Sequence, residues 1–264
     1  MWHFMWFLVL LAALTNYAGG YMIARRQWSA KNLARLTGIS AGFLLGVAII
    51  DLLPETLRAG HHGHHHHNYL SLWVLAGFFL VYVSERWLGG AHVHGADGEH
   101  RATTAGTWIG MMVHTFLDGV AIVAAFLIDP SMGLLVALGV VLHKAADGVT
   151  MASVALSCGQ TQRTALLATG SLAGATILGA LSVSALGRIG QAAWASGLHH
   201  WSPVSIALAL AAGSFIYVAA TDLLAILHEE KTLRYAPLYV ILGTLAFIVL
   251  SQALVAIGVN LHLH

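Results

Sequence analysis

Charged side chains are scarce in this sequence. Asp, Glu, Lys and Arg make up 9% of its 264 residues, whereas 58% are apolar and the mean hydropathy is +0.77. Soluble domains carry about 25% charged residues, so a soluble globular protein is excluded and lipid is predicted to be the main solvent. The net charge of +1 and the lack of a long basic block exclude a nucleic-acid-binding protein. The single cysteine, Cys158, excludes an internal disulfide.

Long apolar runs are abundant instead. A helix needs about 20 apolar residues to cross a bilayer, and eight runs have suitable length: residues 2–24, 34–57, 69–89, 105–128, 132–158, 164–187, 203–227 and 236–260. They predict an all-α membrane protein with eight transmembrane helices, in which residues 1–264 form one membrane domain. The first run resembles a secretory signal, but it lacks a basic start and precedes Arg25 and Arg26, which favours a retained helix.

Lysine and arginine are distributed unevenly between the connections. One alternating set of connections holds nine of them, and the other set holds only Arg58 and Arg188. Because basic residues accumulate on the cytoplasmic side, the first set is predicted to be cytoplasmic and both termini to lie outside. The remaining cation, Lys144, lies inside the fifth span.

Two segments of the chain repeat each other. Residues 42–53 read GFLLGVAIIDLL and residues 213–224 read GSFIYVAATDLL, with matching glycines and with Asp51 opposite Asp222. In the predicted orientation the second and seventh spans run in opposite directions. Repeats of opposite orientation are typical of transporters that bind their substrate near the middle of the membrane. The sequence therefore predicts helices 1–3 and 6–8 as an inverted repeat around helices 4 and 5.

Ionisable side chains inside the spans are few, and each is expensive to place in lipid, so each is a functional candidate. They are Asp51, Glu55, His114, Asp118, His143, Lys144, Asp147 and Asp222. The fourth and fifth spans each contain the pattern His-x-x-x-Asp-Gly-Val, starting at His114 and at His143. A spacing of four residues puts the histidine and the aspartate on one face of a helix.

The two patterns are predicted to meet at one point. Both lie near mid-membrane, and a turn of a few residues at positions 129–131 makes their helices antiparallel neighbours. Two imidazoles and two carboxylates suit Zn²⁺ and also accept Fe²⁺, Mn²⁺, Co²⁺ or Cd²⁺. The alternative is that these four side chains only form hydrogen bonds between helices. Two copies of one pattern on adjacent helices favour the metal site.

These motifs resemble the ZIP (Zrt/Irt-like) divalent metal transporters of bacteria. The likeness covers nearly the whole chain: the His-x-x-x-Asp-Gly patterns of spans four and five, Asp-Leu-Leu-Pro-Glu at 51–55, Gly-Phe-Phe-Leu at 77–80 with Glu85, and Ala-Gly-Ser-Phe-Ile-Tyr-Val at 212–218. The resemblance implies an ion that binds from outside, stops at mid-membrane and leaves to the cytoplasm across a bacterial inner membrane. It assigns His114, Asp118, His143 and Asp147 as the ligands, with no organic cofactor.

Three positions depart from the family pattern. Some relatives hold a second metal ion with an Asn, an acidic residue and a Glu, where this chain has Thr115, Lys144 and, by alignment, Thr176. An ammonium group cannot bind a metal ion, so we hypothesise that Lys144 takes the place of the second ion and leaves a single-metal site. The alternative is that Lys144 points into a water-filled cavity. Asp51 stands where the family usually has His, which favours harder ions somewhat.

The remaining candidates lie at the two ends of the expected path. Asp51 and Glu55 are predicted at the outer end and Asp222 toward the inner end. A histidine-rich outer loop at residues 58–68 and a histidine-bearing cytoplasmic loop at residues 90–104 are predicted to concentrate or receive metal ions.

Two other function classes use similar residues. A metal-gated channel or sensor would need the same site. An intramembrane metalloenzyme is disfavoured, because the sequence has no His-Glu-x-x-His helix and both aspartates are assigned to the metal. The expected partners are divalent metal ions, lipid and a second copy of the chain in a homodimer, for which the small-residue faces leave room.

Overall fold

The computed structural model describes residues 2–25, 30–60, 70–84, 100–194, 203–223 and 236–256, and every regular element within these ranges is a helix. The α-helices are α1 (Trp2–Ala24), α2 (Ala30–Gly46), α3 (Leu53–Gly60), α4 (Leu70–Val83), α5 (His100–Ile128), α6 (Pro130–Ser157), α7 (Gln162–Trp194), α8 (Pro203–Tyr217) and α9 (Ala236–Ala256). The predicted all-α class is confirmed.

Seven helical segments of the described chain are long and apolar enough to cross a membrane: Trp2–Ala24, Arg35–Arg58, Trp108–Ile128, Pro130–Leu156, Gln162–Ala185, Pro203–Ala220 and Pro237–Leu254. They correspond to seven of the eight predicted spans. For the third predicted span, at residues 69–89, the described helix is α4, which has 14 residues. The count of eight spans therefore stays a prediction.

Two predicted loops are shorter than expected where the structure describes them. Residues 58–60 belong to α3, and α5 already begins at His100, inside the loop predicted at 90–104. Helices continue past their apolar stretch because each added residue still satisfies its backbone hydrogen bonds within the helix, a preference that a hydropathy pattern does not detect. Residues 61–69 and 85–99, with most of the two histidine-bearing loops, lie outside the described residues.

The turn between α5 and α6 sets the depth of the histidine–aspartate pattern that the two helices share. Asp129 has extended backbone dihedrals, and its Oδ1 accepts hydrogen bonds of 2.9 Å from the backbone N–H groups of Ser131 and Met132. Pro130 occupies the first helical position, where its missing N–H costs nothing. Since α5 ends at Ile128, His114 and His143 both lie about 20 Å along their helices from this turn.

Glycines mark the crossings between four pairs of helices. At each, a Cβ atom would lie 1.8–2.2 Å from a backbone carbonyl oxygen of the facing helix, so only glycine permits the approach. The pairs are α1 with α6 (Gly19, Gly148), α5 with α7 (Gly119, Gly179), α4 with α8 (Gly77, Gly213) and α2 with α9 (Gly42, Gly243). Small residues allow membrane helices to pack by close backbone contact, and these crossings fix the positions of α5 and α6.

Replacing Gly42 with alanine is expected to destabilise the fold. The new Cβ would lie 1.9 Å from the carbonyl oxygen of Val240, and overpacking of this kind costs about 1–3 kcal/mol or more. Thermal unfolding of the purified protein in detergent measures the effect as a lower midpoint temperature. The matched control is Gly174→Ala on α7, where nothing lies within 4 Å of the added Cβ. Alanine is the better helix former, so the control should unfold no earlier than the wild type, and equal midpoints for both variants would contradict the crossing.

Two complete π-helical segments lie within the described ranges of the chain. One, Val47–Leu52, lies between α2 and α3, and the other, Val218–Leu223, follows α8. They coincide with the same positions of the sequence repeat, and they contain Asp51 and Asp222. π-Helical turns are rare and occur mostly at functional positions, which directs attention to the two helices that carry them.

Candidate metal centre

Four side chains from α5 and α6 lie around one point. His114 and Asp118 come from α5, and His143 and Asp147 come from α6. One nitrogen or carboxylate oxygen of each residue lies within 4.8 Å of the corresponding atoms of the other three, and all four residues are buried. The structure therefore brings together the four residues that the sequence predicts as ligands.

The distances within this cluster have the scale of a metal coordination shell. Nε2 of His114 lies 3.4 Å from Oδ2 of Asp118 and 3.6 Å from Oδ2 of Asp147, and Nε2 of His143 lies 3.5 and 3.8 Å from the same two oxygens. Two ligand atoms at about 2.1 Å from a tetrahedral zinc ion are about 3.4 Å apart. The Nε2 atoms of both histidines are buried without a hydrogen-bond partner among the described residues. Two buried imidazole nitrogens thus face two carboxylate oxygens.

Each imidazole is held through its other nitrogen. Nδ1 of His143 lies 2.9 Å from the carbonyl oxygen of Gly139, one turn earlier on the same helix. A carbonyl oxygen can only accept, so this nitrogen donates and Nε2 keeps its lone pair for a metal ion. Nδ1 of His114 lies 3.4 Å from Oγ of Ser214 on α8, and either atom can be the donor.

Lys144 is the largest fully buried polar side chain near the cluster. Its Nζ donates to Oδ2 of Asp147 at 2.9 Å and to Oγ1 of Thr115 at 3.1 Å, and it also contacts Oδ2 of Asp118. These are the same two oxygen atoms that face the histidines. Each carboxylate therefore stands between an imidazole and the ammonium group, and the two aspartates with Lys144 carry a net charge of −1.

Thr176, Asp51 and Glu55 form none of the described hydrogen bonds or ion pairs with these four residues. Thr176 on α7 is buried, with its Oγ1 3.4 Å from the carbonyl oxygen of Leu172. Asp51 is half-buried in the first π-helical segment, and Glu55 forms an ion pair of 3.4 Å with the exposed Arg58. Asp222 belongs to the second π-helical segment, and its side chain lies outside the described part of the chain.

Sequence reasoning missed Ser214. It is fully buried on α8 and approaches His114 from a helix that contributes no ligand to the cluster. The sequence signals were its position next to Gly213 at the start of the repeated segment and its place in the family-like stretch 212–218. A serine among apolar residues of a membrane helix is too common to indicate a contact with a histidine elsewhere in the chain.

Comparisons with known proteins match this chain to one family of transporters. The ZIP Zinc transporter family model matches residues 1–107 and 91–251. The chain is 28% identical to zinc transporter ZIP9 of Xenopus tropicalis over 258 residues, which covers 82% of this chain and 83% of the relative. It is 26% identical to zinc transporter ZIP13 of Pongo abelii over 223 residues, covering 78% of this chain and 62% of the relative.

The predicted family resemblance is therefore confirmed, and with it the prediction that the protein is not an enzyme. The family match and the seven long apolar helices make the chain an integral membrane protein. Matched over most of its length, the chain belongs to the ZIP zinc transporter family, whose members transport metal ions.

Proposed function

We propose that this protein carries divalent transition-metal ions into the cytoplasm, with zinc as the best-fitting ion and His114, Asp118, His143 and Asp147 as its ligands. The observation that carries the proposal is the cluster of two imidazole nitrogens and two carboxylate oxygens in the buried middle of two apolar helices. The names of the zinc transporter relatives support the choice of ion. Two nitrogens and two oxygens also suit Fe²⁺, Mn²⁺, Co²⁺ and Cd²⁺.

The site holds one metal ion at a time in this proposal. A second ion would have to share the aspartate oxygens with the first, and the ammonium group of Lys144 already contacts both of them. Thr115 has no carboxylate to offer a second ion, and its hydroxyl oxygen accepts a hydrogen bond from Lys144. Lys144 thus neutralises part of the aspartate charge without acting as a ligand, which keeps the transported ion from being held too tightly to leave.

Alternating exposure of this site to the two sides follows from the inverted repeat that we propose. The four glycine crossings are exchanged in pairs when α1 is exchanged with α7, α2 with α8, α4 with α9 and α5 with α6. The α1–α6 crossing then becomes the α5–α7 crossing, and the α4–α8 crossing becomes the α2–α9 crossing. The same exchange pairs the two π-helical segments with each other, since one follows α2 and the other follows α8. These correspondences support a pseudo-twofold arrangement in which Asp51 and Glu55 belong to the outer end of the path and Asp222 to the inner end.

The proposed direction of transport, into the cytoplasm, is the one that the family resemblance implies, and the proposed orientation of the chain rests on the distribution of basic residues. With the nine lysines and arginines of one set of connections in the cytoplasm, both termini lie outside and Asp51 faces the outer side. The bacterial inner membrane is the proposed location, as implied by the resemblance to bacterial relatives. The histidine tract near residues 61–67 would then lie outside, where it concentrates metal ions before transport.

Uptake into liposomes tests the proposed function. Purified full-length protein is reconstituted around a metal-sensitive dye, and initial rates are compared for Zn²⁺, Fe²⁺, Mn²⁺, Co²⁺ and Cd²⁺. We expect saturable uptake with zinc among the fastest ions, and faster uptake of labelled zinc when unlabelled zinc is preloaded inside, since a carrier exchanges its cargo. Non-saturating flux without this exchange would indicate a channel instead. Liposomes that take up no metal ion faster than protein-free liposomes would refute transport.

A further inference from the structure

The two ligand histidines are restrained in different ways. Nδ1 of His143 bonds to the carbonyl oxygen of Gly139 on its own helix, so this restraint moves with the ligand. Nδ1 of His114 meets Oγ of Ser214, which belongs to α8. α8 packs closely against α4 through Gly213, whereas α5 packs closely against α7 through Gly119. The restraint on His114 therefore depends on how two separately packed helices sit against each other.

α8 presents two consecutive side chains to the two imidazoles. Ser214 contacts His114, and the ring of Phe215 lies edge-on against His143 with 6.2 Å between the ring centroids. Both residues are fully buried. A buried hydroxyl group is costly unless it forms a hydrogen bond, and the contact with His114 gives the Ser214 hydroxyl that bond. α8 thus packs against both imidazoles of the cluster without supplying a ligand.

A metal ion bound to Nε2 of His114 determines which of the two residues, His114 or Ser214, donates the hydrogen bond between them. Nε2 has to keep its lone pair for the ion, so Nδ1 carries the proton and donates a hydrogen bond to Oγ of Ser214. The observed separation of 3.4 Å is at the long end for a hydrogen bond. Groups that orient a ligand in this way change metal affinity by about 10- to 100-fold when they are removed.

We propose that Ser214 is a positioning residue for His114, and that the centre reaches full metal affinity only while α8 is seated against α5. This inference rests on the proposed function and adds a structural condition for full metal affinity at the site. Movement of α5 and α6 away from α8 removes the restraint on His114 and leaves the one on His143 intact. The ion is then held firmly by three ligands and weakly by the fourth, which lowers the affinity in the displaced arrangement.

Cobalt binding to three variants of the full chain tests the role of Ser214. Co²⁺ is titrated into purified protein in detergent, its visible absorption bands report the coordination geometry, and zinc competition gives the zinc affinity. Ser214→Ala is expected to weaken binding by about 10- to 100-fold and to alter the cobalt bands. Ser214→Thr keeps a hydroxyl group and should restore both. The same loss should appear in liposome uptake as a raised KM for zinc.

Ser40→Ala is the matched control. Ser40 is also a fully buried serine between helices, and its Oγ donates to the backbone carbonyl oxygen of Leu142 at 2.9 Å without touching a ligand side chain. This variant should lower the unfolding temperature at most, with cobalt affinity and bands unchanged. Wild-type affinity and bands in Ser214→Ala would overturn the proposal, and so would an equal loss in Ser40→Ala.

The outcome of Asp118→Ala separates this inference from the proposed function. If Asp118→Ala loses cobalt binding while Ser214→Ala keeps it, the four-residue site stands and only the positioning role is wrong. If Asp118→Ala itself binds cobalt like the wild type, the site assignment fails and the role of Ser214 fails with it.

Discussion

Zinc uptake is expected to be lost when Asp118 is replaced by alanine. Oδ2 of Asp118 lies 3.4 and 3.5 Å from the Nε2 atoms of His114 and His143, and it also contacts the ammonium group of Lys144. Its removal takes away one of the four proposed ligands. It also leaves one carboxylate opposite one ammonium group, so the cluster has no net negative charge with which to attract a divalent cation into an apolar interior.

The expected size of the effect follows from the burial of the cluster. Truncating one partner of a buried, hydrogen-bonded charge pair at a binding site costs about 2–5 kcal/mol of binding free energy, and each 1.4 kcal/mol is a factor of about ten. Initial zinc uptake by reconstituted Asp118→Ala should therefore fall by about 100-fold or more. Asp118→Asn, which keeps the shape but not the charge, should show a comparable loss if charge is the cause.

Asp129→Ser is the matched control for Asp118. Asp129 is an exposed aspartate in the turn that follows the same helix, where it caps α6. Serine is also a good N-cap residue, and surface substitutions usually stay within ±0.5 kcal/mol, which is about twofold in rate. Wild-type uptake by Asp118→Ala would remove this residue from the ion path. An equal loss in Asp129→Ser would show that uptake responds to any change in this hairpin.

The helices and the ligand cluster were predictable because their causes are local. Apolar runs long enough to span a bilayer determine the helices, and the spacing from His114 to Asp118 determines a shared face. Asp129 followed by Pro130 predicts a tight antiparallel turn, which the structure has. Because His114 and His143 lie at nearly equal distances from this turn along their helices, they lie at the same depth.

The partners across helices were not predictable in the same way. A glycine such as Gly148 indicates a close approach of two helices. The residue that faces it, Asn16, follows only from the tertiary arrangement. The contact of Ser214 with His114 joins residues 100 positions apart in the chain, and no local pattern encodes it. The repeat marked the segments around Asp51 and Asp222, yet hydropathy cannot distinguish a π-helical turn from an α-helical one, because both satisfy the backbone internally.

Lys144 is the departure from the family pattern that the structure makes most informative. Sequence alone left open whether its ammonium group pairs with the aspartates or points into water. In the structure it is fully buried and contacts both Asp118 and Asp147, with Thr115 as a third partner. The cation is thus part of the cluster, although its chemistry prevents it from binding a metal ion.

Replacing Lys144 with methionine should strengthen zinc binding and weaken the metal-free fold. Without the ammonium group, the two carboxylates repel each other in a buried site, and breaking such a pairing costs about 3–5 kcal/mol of stability. A zinc ion then neutralises two carboxylates that no other cation shares. Couplings between close charges are worth about 1.5 kcal/mol or more, so zinc affinity should rise by about tenfold or more. Thermal unfolding with and without zinc measures both effects.

Arg58→Met is the matched control, because it removes an equal charge from an exposed ion pair with Glu55. Exposed pairs contribute about 0–1 kcal/mol, so zinc affinity and metal-free stability should stay near the wild-type values. Unchanged zinc affinity in Lys144→Met would contradict the competition between the ammonium group and the ion.

The number of bound ions gives the sharpest result for Lys144. The wild type should bind one zinc ion at the buried centre, because the ammonium group already contacts the oxygens that a second ion there would need. Lys144→Glu supplies a carboxylate in that place and should bind two, with anomalous scattering peaks about 3.5–4 Å apart, the usual spacing of paired metal ions. Two peaks in the wild type would mean that the ammonium group moves aside for a second ion, and Lys144 would then not define a single-metal site.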